Sequence, residues 1–308
     1  MRPLAWLGPM VLVLAAACGV DGSASPPGAD LSTPTGRPSP TGLGSPSTSA
    51  TASATPTLTD SGQPTPTRTP RPKATGTAKP PSLDGDRENA FAFAPLNDPA
   101  DVTVEGRVPS SPAWSTSKVL VVAAYLDTAA GGDPDQVGRS NRRLIKAALT
   151  ESDADAVVAI RNQIPGRPGP AMTAVLRSIG DQTTIAPDNY QGLMPWSVRE
   201  QVRFMAALAN GKVVSGDASA YLLESMRPIP AHAWGLGTIG ATAYKGGWLR
   251  GDTVTRQMGI FDGYAVALIT DGVGPAVRQT DGDSAHVRQL NRLARMLEKR
   301  LAYEESRR

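Results

Sequence analysis

The tetrapeptide Ser115-Thr116-Ser117-Lys118 carries the residue types and spacing of nucleophilic catalysis. On a helix, positions three apart share a face, so the Lys118 ammonium reaches the Ser115 hydroxyl while the serine stays in the first turn. Unpaired N–H groups there favour a developing negative charge. A serine needs a base before it attacks. A lysine desolvated by apolar neighbours and set near another cation loses its proton near neutral pH and serves as one. The chain has only seven lysines, so the spacing is less easily an accident than in a lysine-rich protein. Taken alone, it also fits an ordinary helix start with a surface lysine.

Two further elements follow in order: Ser152-Asp153-Ala154 after a helical segment, and Lys245-Gly246-Gly247 in a late strand. With these the chain resembles the class A β-lactamase and penicillin-binding protein superfamily, whose pattern is S-x-x-K, then S-D-N, then K-T-G on a strand edging the cleft. The segments Pro112 to Lys118, Leu149 to Ala156, Leu176 to Asp181, Trp234 to Gly237 and Tyr244 to Trp248 also look like family segments, so the likeness spans the folded part. The resemblance implies Ser115 as nucleophile, Lys118 as its base or proton partner, and Ser152 as a proton relay to the leaving group. It implies Lys245 as partner of a substrate carboxylate, and the Ser115 and Trp248 N–H groups as the oxyanion hole. Gly246 and Gly247 would let a substrate backbone lie along the strand.

Departures from the family pattern bear on activity. Ala154 stands where the family has an asparagine that holds a substrate carbonyl, and Gly246 where it has a threonine that helps bind the carboxylate. Where a class A β-lactamase carries the glutamate that activates deacylating water, this chain reads Thr183 to Gln191 with no glutamate. Asp188 is the one carboxylate there, and beside Asn189 after a proline it reads more readily as a turn residue. Fast β-lactam hydrolysis is not expected.

Other chemistries find little support. With only His232 and His286 and one cysteine, neither a histidine-rich metal site nor a cysteine protease fits, and the family implies no metal or organic cofactor. A Ser–His–Asp triad through His232 is open, although no G-x-S-x-G elbow accompanies it. Trp234 and Trp248 fit two readings, lining the cleft to stack on substrate or capping a core.

The elements that must position these residues begin near Phe91 and run to Tyr303. Short strands are predicted at 90–96 and 102–108, then a buried helix at 115–129 whose core is apolar on nearly every face. Helices are predicted at 136–149, 154–163, 171–179 and 217–226, with another announced by the capping box Ser197-Val198-Arg199-Glu200 and closed at Asn210-Gly211. Strands follow at 242–249, 255–261 and 264–270, the last two joined by a tight Asp262-Gly263 hairpin, and a final amphipathic helix ends the domain. This order predicts an α+β, β-lactamase/transpeptidase-like fold: an antiparallel sheet flanked by helices plus an all-helical lobe, with the chemistry in the cleft between lobes.

Ahead of the domain, Met1 and Arg2 open an apolar run from Leu4 to Ala17 that ends at Cys18, the only cysteine. The run falls short of the ~20 residues of a spanning helix and reads as an export signal. Leu14-Ala15-Ala16-Ala17-Cys18 resembles a lipobox, in which the cysteine becomes the acylated first residue; the other reading is a secretory signal with an incidental cysteine. A Pro-, Thr- and Ser-rich stretch follows that cannot bury a core and reads as a disordered tether. Three parts are expected: a lipoprotein signal at 1–18, a tether at 19–85 and a β-lactamase-like serine hydrolase domain at 86–304. The net charge of +3 gives no footprint for nucleic acid. The expected protein is lipid-anchored at the outer face of the bacterial membrane. It forms an acyl-enzyme on Ser115 with D-Ala-D-Ala-type wall peptides, β-lactams or related amides and esters. The rival expectation is an inactive member of the fold that binds peptidoglycan or an envelope partner.

Overall fold

Strand β1 (Asn89–Pro95) alternates alanine with phenylalanine, and that alternation decides how the sheet is covered. Successive side chains of a strand point to opposite faces, so Ala92 and Ala94 join one core and Phe91 and Phe93 the other. The computed structural model describes residues 79–80, 82–109, 111–249, 251–273 and 285–307. The expected signal with Cys18, and the tether as far as residue 78, lie outside the described residues. β1 pairs with β2 (Thr103–Gly106) and with β5 (Tyr264–Thr270), and the sheet continues through β4 (Thr255–Phe261) to β3 (Ala243–Trp248). Every pairing is antiparallel, and the strand order is β2-β1-β5-β4-β3. Asp262 and Gly263 both take positive φ, 47° and 82°, which matches the twist of the hairpin they close.

The phenylalanine face is covered by the C-terminal helix Ala285–Ser306, whose Val287, Leu290, Leu293 and Leu297 pack with Phe91, Phe93, Val266 and Leu268. The opposite face continues the small residues with Ala265 and Ala267, and small residues let a helix come close. Helix Val198–Ala209 packs there. Its N-cap is the expected Ser197, whose Oγ accepts from the Glu200 N–H at 3.1 Å. Only half of the capping box forms, because the Glu200 carboxylate turns to Arg203 at 2.7 Å.

Helix α1 (Ser117–Thr128) is buried at every residue from Ser117 to Leu126, as its all-round apolar sequence requires. It packs against the helices Ala154–Arg161, Pro168–Ser178 and Gly216–Ser225 of the helical part. The strand expected over 102–108 is only Thr103–Gly106, and the helix expected over 171–179 starts earlier, at Pro168 in its first turn, and ends at Ser178. Two further differences lie at the candidate site. The helix predicted from residue 115 begins as a 3₁₀ turn, Trp114–Thr116, and becomes α-helical only at Ser117. The helix predicted over 136–149 is α-helical only over Arg139–Lys146 and then widens into a π turn, Ala147–Glu151. Both irregularities fall beside the residues singled out for chemistry.

Candidate active site

Trp114, immediately before Ser115, has φ of 44°. That left-handed conformation costs a bulky residue on the order of 1–3 kcal/mol, so its surroundings must hold it. On one side the segment 194–196 runs against it: Ala113 N–H donates to the Met194 carbonyl at 2.8 Å, and Pro112 and Pro195 form a β-bridge. From within the turn, the Thr116 and Ser117 hydroxyls donate back to the Ala113 and Trp114 carbonyls at 2.5 and 2.6 Å. On the other side lies β3. A Cβ on Gly247 would stand 2.8 Å from the Ala113 oxygen, 3.0 Å from the Thr116 nitrogen and 3.1 Å from the Ser115 nitrogen. Only glycine lets the strand edge come this close, and the approach sets β3 against the Ser115 N–H.

Ser152 ends the π turn in the left-handed conformation, φ 64°, which throws its side chain towards α1. Lys118 Nζ donates to the Ser152 carbonyl and to its Oγ, the latter at 3.3 Å. Lys245 Nζ donates to the same Oγ at 2.8 Å and to the Gly246 carbonyl at 3.0 Å. A hydroxyl that accepts twice has used both lone pairs and keeps its own proton to donate. Ser115, Lys118, Ser152 and Lys245 are only 3 to 4 % exposed, so both amines are withdrawn from water. Three separate elements, α1, the π turn and β3, thus bring together the lysines and the serine that the sequence proposed.

His232 also belongs to this cluster. Its ring meets Trp248 edge-on, centroids 5.2 Å apart, and burial, then the charges of Lys245 and Lys118, push its pKa down to about 4 against a hydrogen bond with the Thr150 backbone. The imidazole is therefore neutral at pH 7. The charges that act on it in this cluster are those of Lys245 and Lys118.

The departures from the family pattern have physical counterparts. A Cβ on Gly246 would stand 2.9 Å from the Trp248 ring, so a threonine there would collide with the indole. Trp248 and Trp234 contact each other at 5.4 Å, are 9 % and 6 % exposed, and pack into the core shared with the C-terminal helix. Of the two readings for these tryptophans, core capping is the one observed. Trp248 still borders the centre, with Lys245 Nζ 5.9 Å above its ring. Ala154 opens its helix behind Asp153, whose carboxylate caps it by accepting from Ala156 N–H at 2.8 Å. An alanine offers no amide to a ligand.

The segment 183–191 holds no free general base. Asp188 accepts from Arg167 Nε and Nη2 at 2.9 and 2.6 Å and from Gly169 N–H at 3.0 Å. It is a loop-fixing residue, as its turn context suggested. A cavity of about 510 Å³ opens beside it, lined by Arg167, Thr173, Arg177, Ile185 and Asp188, and none of the Ser115 cluster lines that cavity.

No family model matches the sequence, and no curated protein does. Solved structures do. The chain is similar to PBP-A, at 19% identity over 72% of this chain and 93% of that one, with a TM-score of 0.52. A second PBP-A structure, a mutant as an acyl-enzyme complex with penicillin G, matches at 21% identity over 70% of this chain and 90% of that one, TM-score 0.51. A β-lactamase from Chitinophaga pinensis matches at 15% identity over 71% of this chain and 94% of that one, TM-score 0.52. At these identities the likeness defines the fold. It is the β-lactamase/penicillin-binding-protein-like fold, α+β, as the order of elements predicted.

Sequence reasoning passed over Arg256 and Gln201, which bind the segments around Ser115. The available signal was a lone cation in β4 on the same strand face as Met258 and Ile260, both packed in an apolar core.

Proposed function

We propose that this chain is an exported active-serine hydrolase or acyl-transfer protein that forms an acyl-enzyme on Ser115. Its substrates are D-Ala-D-Ala-type wall peptides, β-lactams or related amides and esters, and a lipid on Cys18 anchors it at the outer face of the bacterial membrane. One observation carries the reading: two buried lysine amines meet at the Ser152 hydroxyl, and one of them stands a helical turn after Ser115.

In this account the Ser115 oxygen attacks the acyl carbonyl while its proton passes to the Lys118 amine. The oxyanion is held by the Ser115 and Trp248 N–H groups, at the place where Gly247 lets β3 close on the turn. Ser152, held between the two lysines, hands a proton to the departing amine or alkoxide, which leaves as the carbonyl reforms. Water or an acceptor amine then releases the acyl group. No carboxylate in the segment 183–191 is free to speed that step, so the acyl-enzyme is long-lived. A PBP-A mutant has been captured as such a complex with penicillin G, which supports this choice of ligand class.

A second reading, a binding module without turnover, is favoured by one feature: Gly246 and Ala154 remove two polar contacts from the groove. Hydrolysis of a p-nitrophenyl ester and equilibrium binding of a D-Ala-D-Ala peptide separate the two. The enzyme reading expects a burst of about one p-nitrophenol per chain as Ser115 is acylated, lost in Ser115→Ala and in Lys118→Met. Peptide binding without that burst, unchanged by Ser115→Ala, would establish the module instead.

A further inference from the structure

Arg256 sits directly opposite Gly247 in the β3–β4 register, and opposed residues of paired strands put their side chains on the same face. Gly247 has none, and the Arg256 guanidinium reaches the segment that leads into Ser115. Nη1 donates to the Pro112 carbonyl at 3.0 Å and to the Ser111 carbonyl and Oγ at 3.2 and 3.3 Å. Nη2 donates to the Trp196 carbonyl at 2.5 Å and to Gln201 Oε1 at 2.8 Å. Gln201 Nε2 in turn donates to Thr116 Oγ1 at 2.7 Å, and Thr116 Oγ1 to the Ala113 carbonyl at 2.5 Å. The network therefore grips the chain on both sides of the strained Trp114 and of Ser115.

The group at its root is unusual. Arg256 is 0% exposed, and its hydrogen-bond acceptors among the described residues are neutral carbonyl, hydroxyl and amide oxygens. Burying a cation without a counter-ion is costly, and that burial draws the guanidinium down to about 9, which still leaves it protonated at neutral pH. A well-packed apolar side chain of similar volume in such a place is often neutral or stabilising. Packing alone thus gives no reason for a charge at this depth, whereas a nucleophile on a strained turn, with negative charge forming at its own N–H, does.

We propose that Arg256 is the positioning residue of the Ser115 centre, holding the strained turn through the Pro112 and Trp196 carbonyls and through Gln201 and Thr116, and keeping a fixed positive charge behind the oxyanion site. The kinetic part rests on acylation at Ser115; the positioning part does not. Both are tested on the full chain with Arg256→Met, Arg256→Lys and Gln201→Leu. Labelling of Ser115 by a fluorophosphonate, read by intact mass, slows on the order of tenfold to a hundredfold in Arg256→Met, less than the roughly hundredfold to thousandfold lost with a direct oxyanion donor, because Arg256 acts at one remove. Arg256→Lys recovers part of the rate. Amide hydrogen exchange over 114–118 quickens at least tenfold in Arg256→Met while the C-terminal helix keeps its protection, and Gln201→Leu quickens the same amides should Arg256→Met not fold. Labelling at the unmutated rate in a folded Arg256→Met, or unchanged exchange over 114–118, overturns the proposal. If the unmutated protein takes no label, acylation at Ser115 fails as a reading, and the exchange arm alone decides the role of Arg256.

Discussion

Gly247 faces the backbone of Ser115 so closely that a single added carbon would stand 3.1 Å from the serine nitrogen. The atoms it would meet are backbone, held by the hydrogen bonds of the turn, and they have little freedom to yield. Gly247→Ala is therefore expected to destabilise the fold by about 1–3 kcal/mol, the usual cost of overpacking, and to push β3 away from the Ser115 N–H. Urea denaturation measures the first effect, and an unchanged midpoint would show that β3 and the turn are not in contact.

The contact between Gly246 and the Trp248 ring makes a non-additive pair. Gly246→Thr alone forces a side chain into the indole at 2.9 Å and lowers the melting temperature. Trp248→Ala alone opens a cavity in the core shared with the C-terminal helix and costs about 3–5 kcal/mol. Combined, the loss is smaller than the sum of the two, because the cavity accepts the threonine. A strictly additive double-mutant cycle would contradict this packing.

His232 supplies a pH dependence with a definite sign. Its folded-state pKa of about 4 lies below the 6.5 of a free histidine, so between those values the unfolded chain binds the extra proton. Stability from the neutral imidazole is complete above about 6.5 and is lost as pH falls towards 4. Melting temperatures recorded over that window should drop more steeply in the unmutated protein than in His232→Asn. Parallel curves would mean that the imidazole is not held neutral by Lys245 and burial.

Asp188 should be silent in catalysis. Its carboxylate is occupied by Arg167 and Gly169, which hold its pKa below the ordinary aspartate range, chiefly through the Arg167 hydrogen bond. Asp188→Asn is expected to loosen the loop without changing the lifetime of an acyl adduct on Ser115. A markedly longer adduct lifetime would make Asp188 a deacylating base after all.

What the sequence revealed follows from what is local. The Ala/Phe alternation of β1, the all-round apolar α1, the Ser197 cap and the Asp262-Gly263 turn are each written in a few adjacent residues, and each element formed there, α1 only from Ser117 onward behind a 3₁₀ turn. The three motifs whose residues meet around Ser152 were also legible as short strings. The π turn was not, because nothing in Ala147–Glu151 signals the extra residue that turns Ser152 towards the lysines. Nor was Arg256, whose partners Ser111, Trp196 and Gln201 lie 145, 60 and 55 residues away in sequence. Contacts at that separation are set by the sheet register and the packing of the helices, and no local pattern encodes them.

The most direct test is to incubate the full chain with penicillin G and weigh the peptide that carries Ser115. The account predicts that this peptide alone gains the mass of one intact penicillin and holds it through the digestion, and that the gain disappears in Ser115→Ala. An unmodified Ser115 peptide across penicillin G and fluorophosphonate, or a label that survives Ser115→Ala, would contradict it.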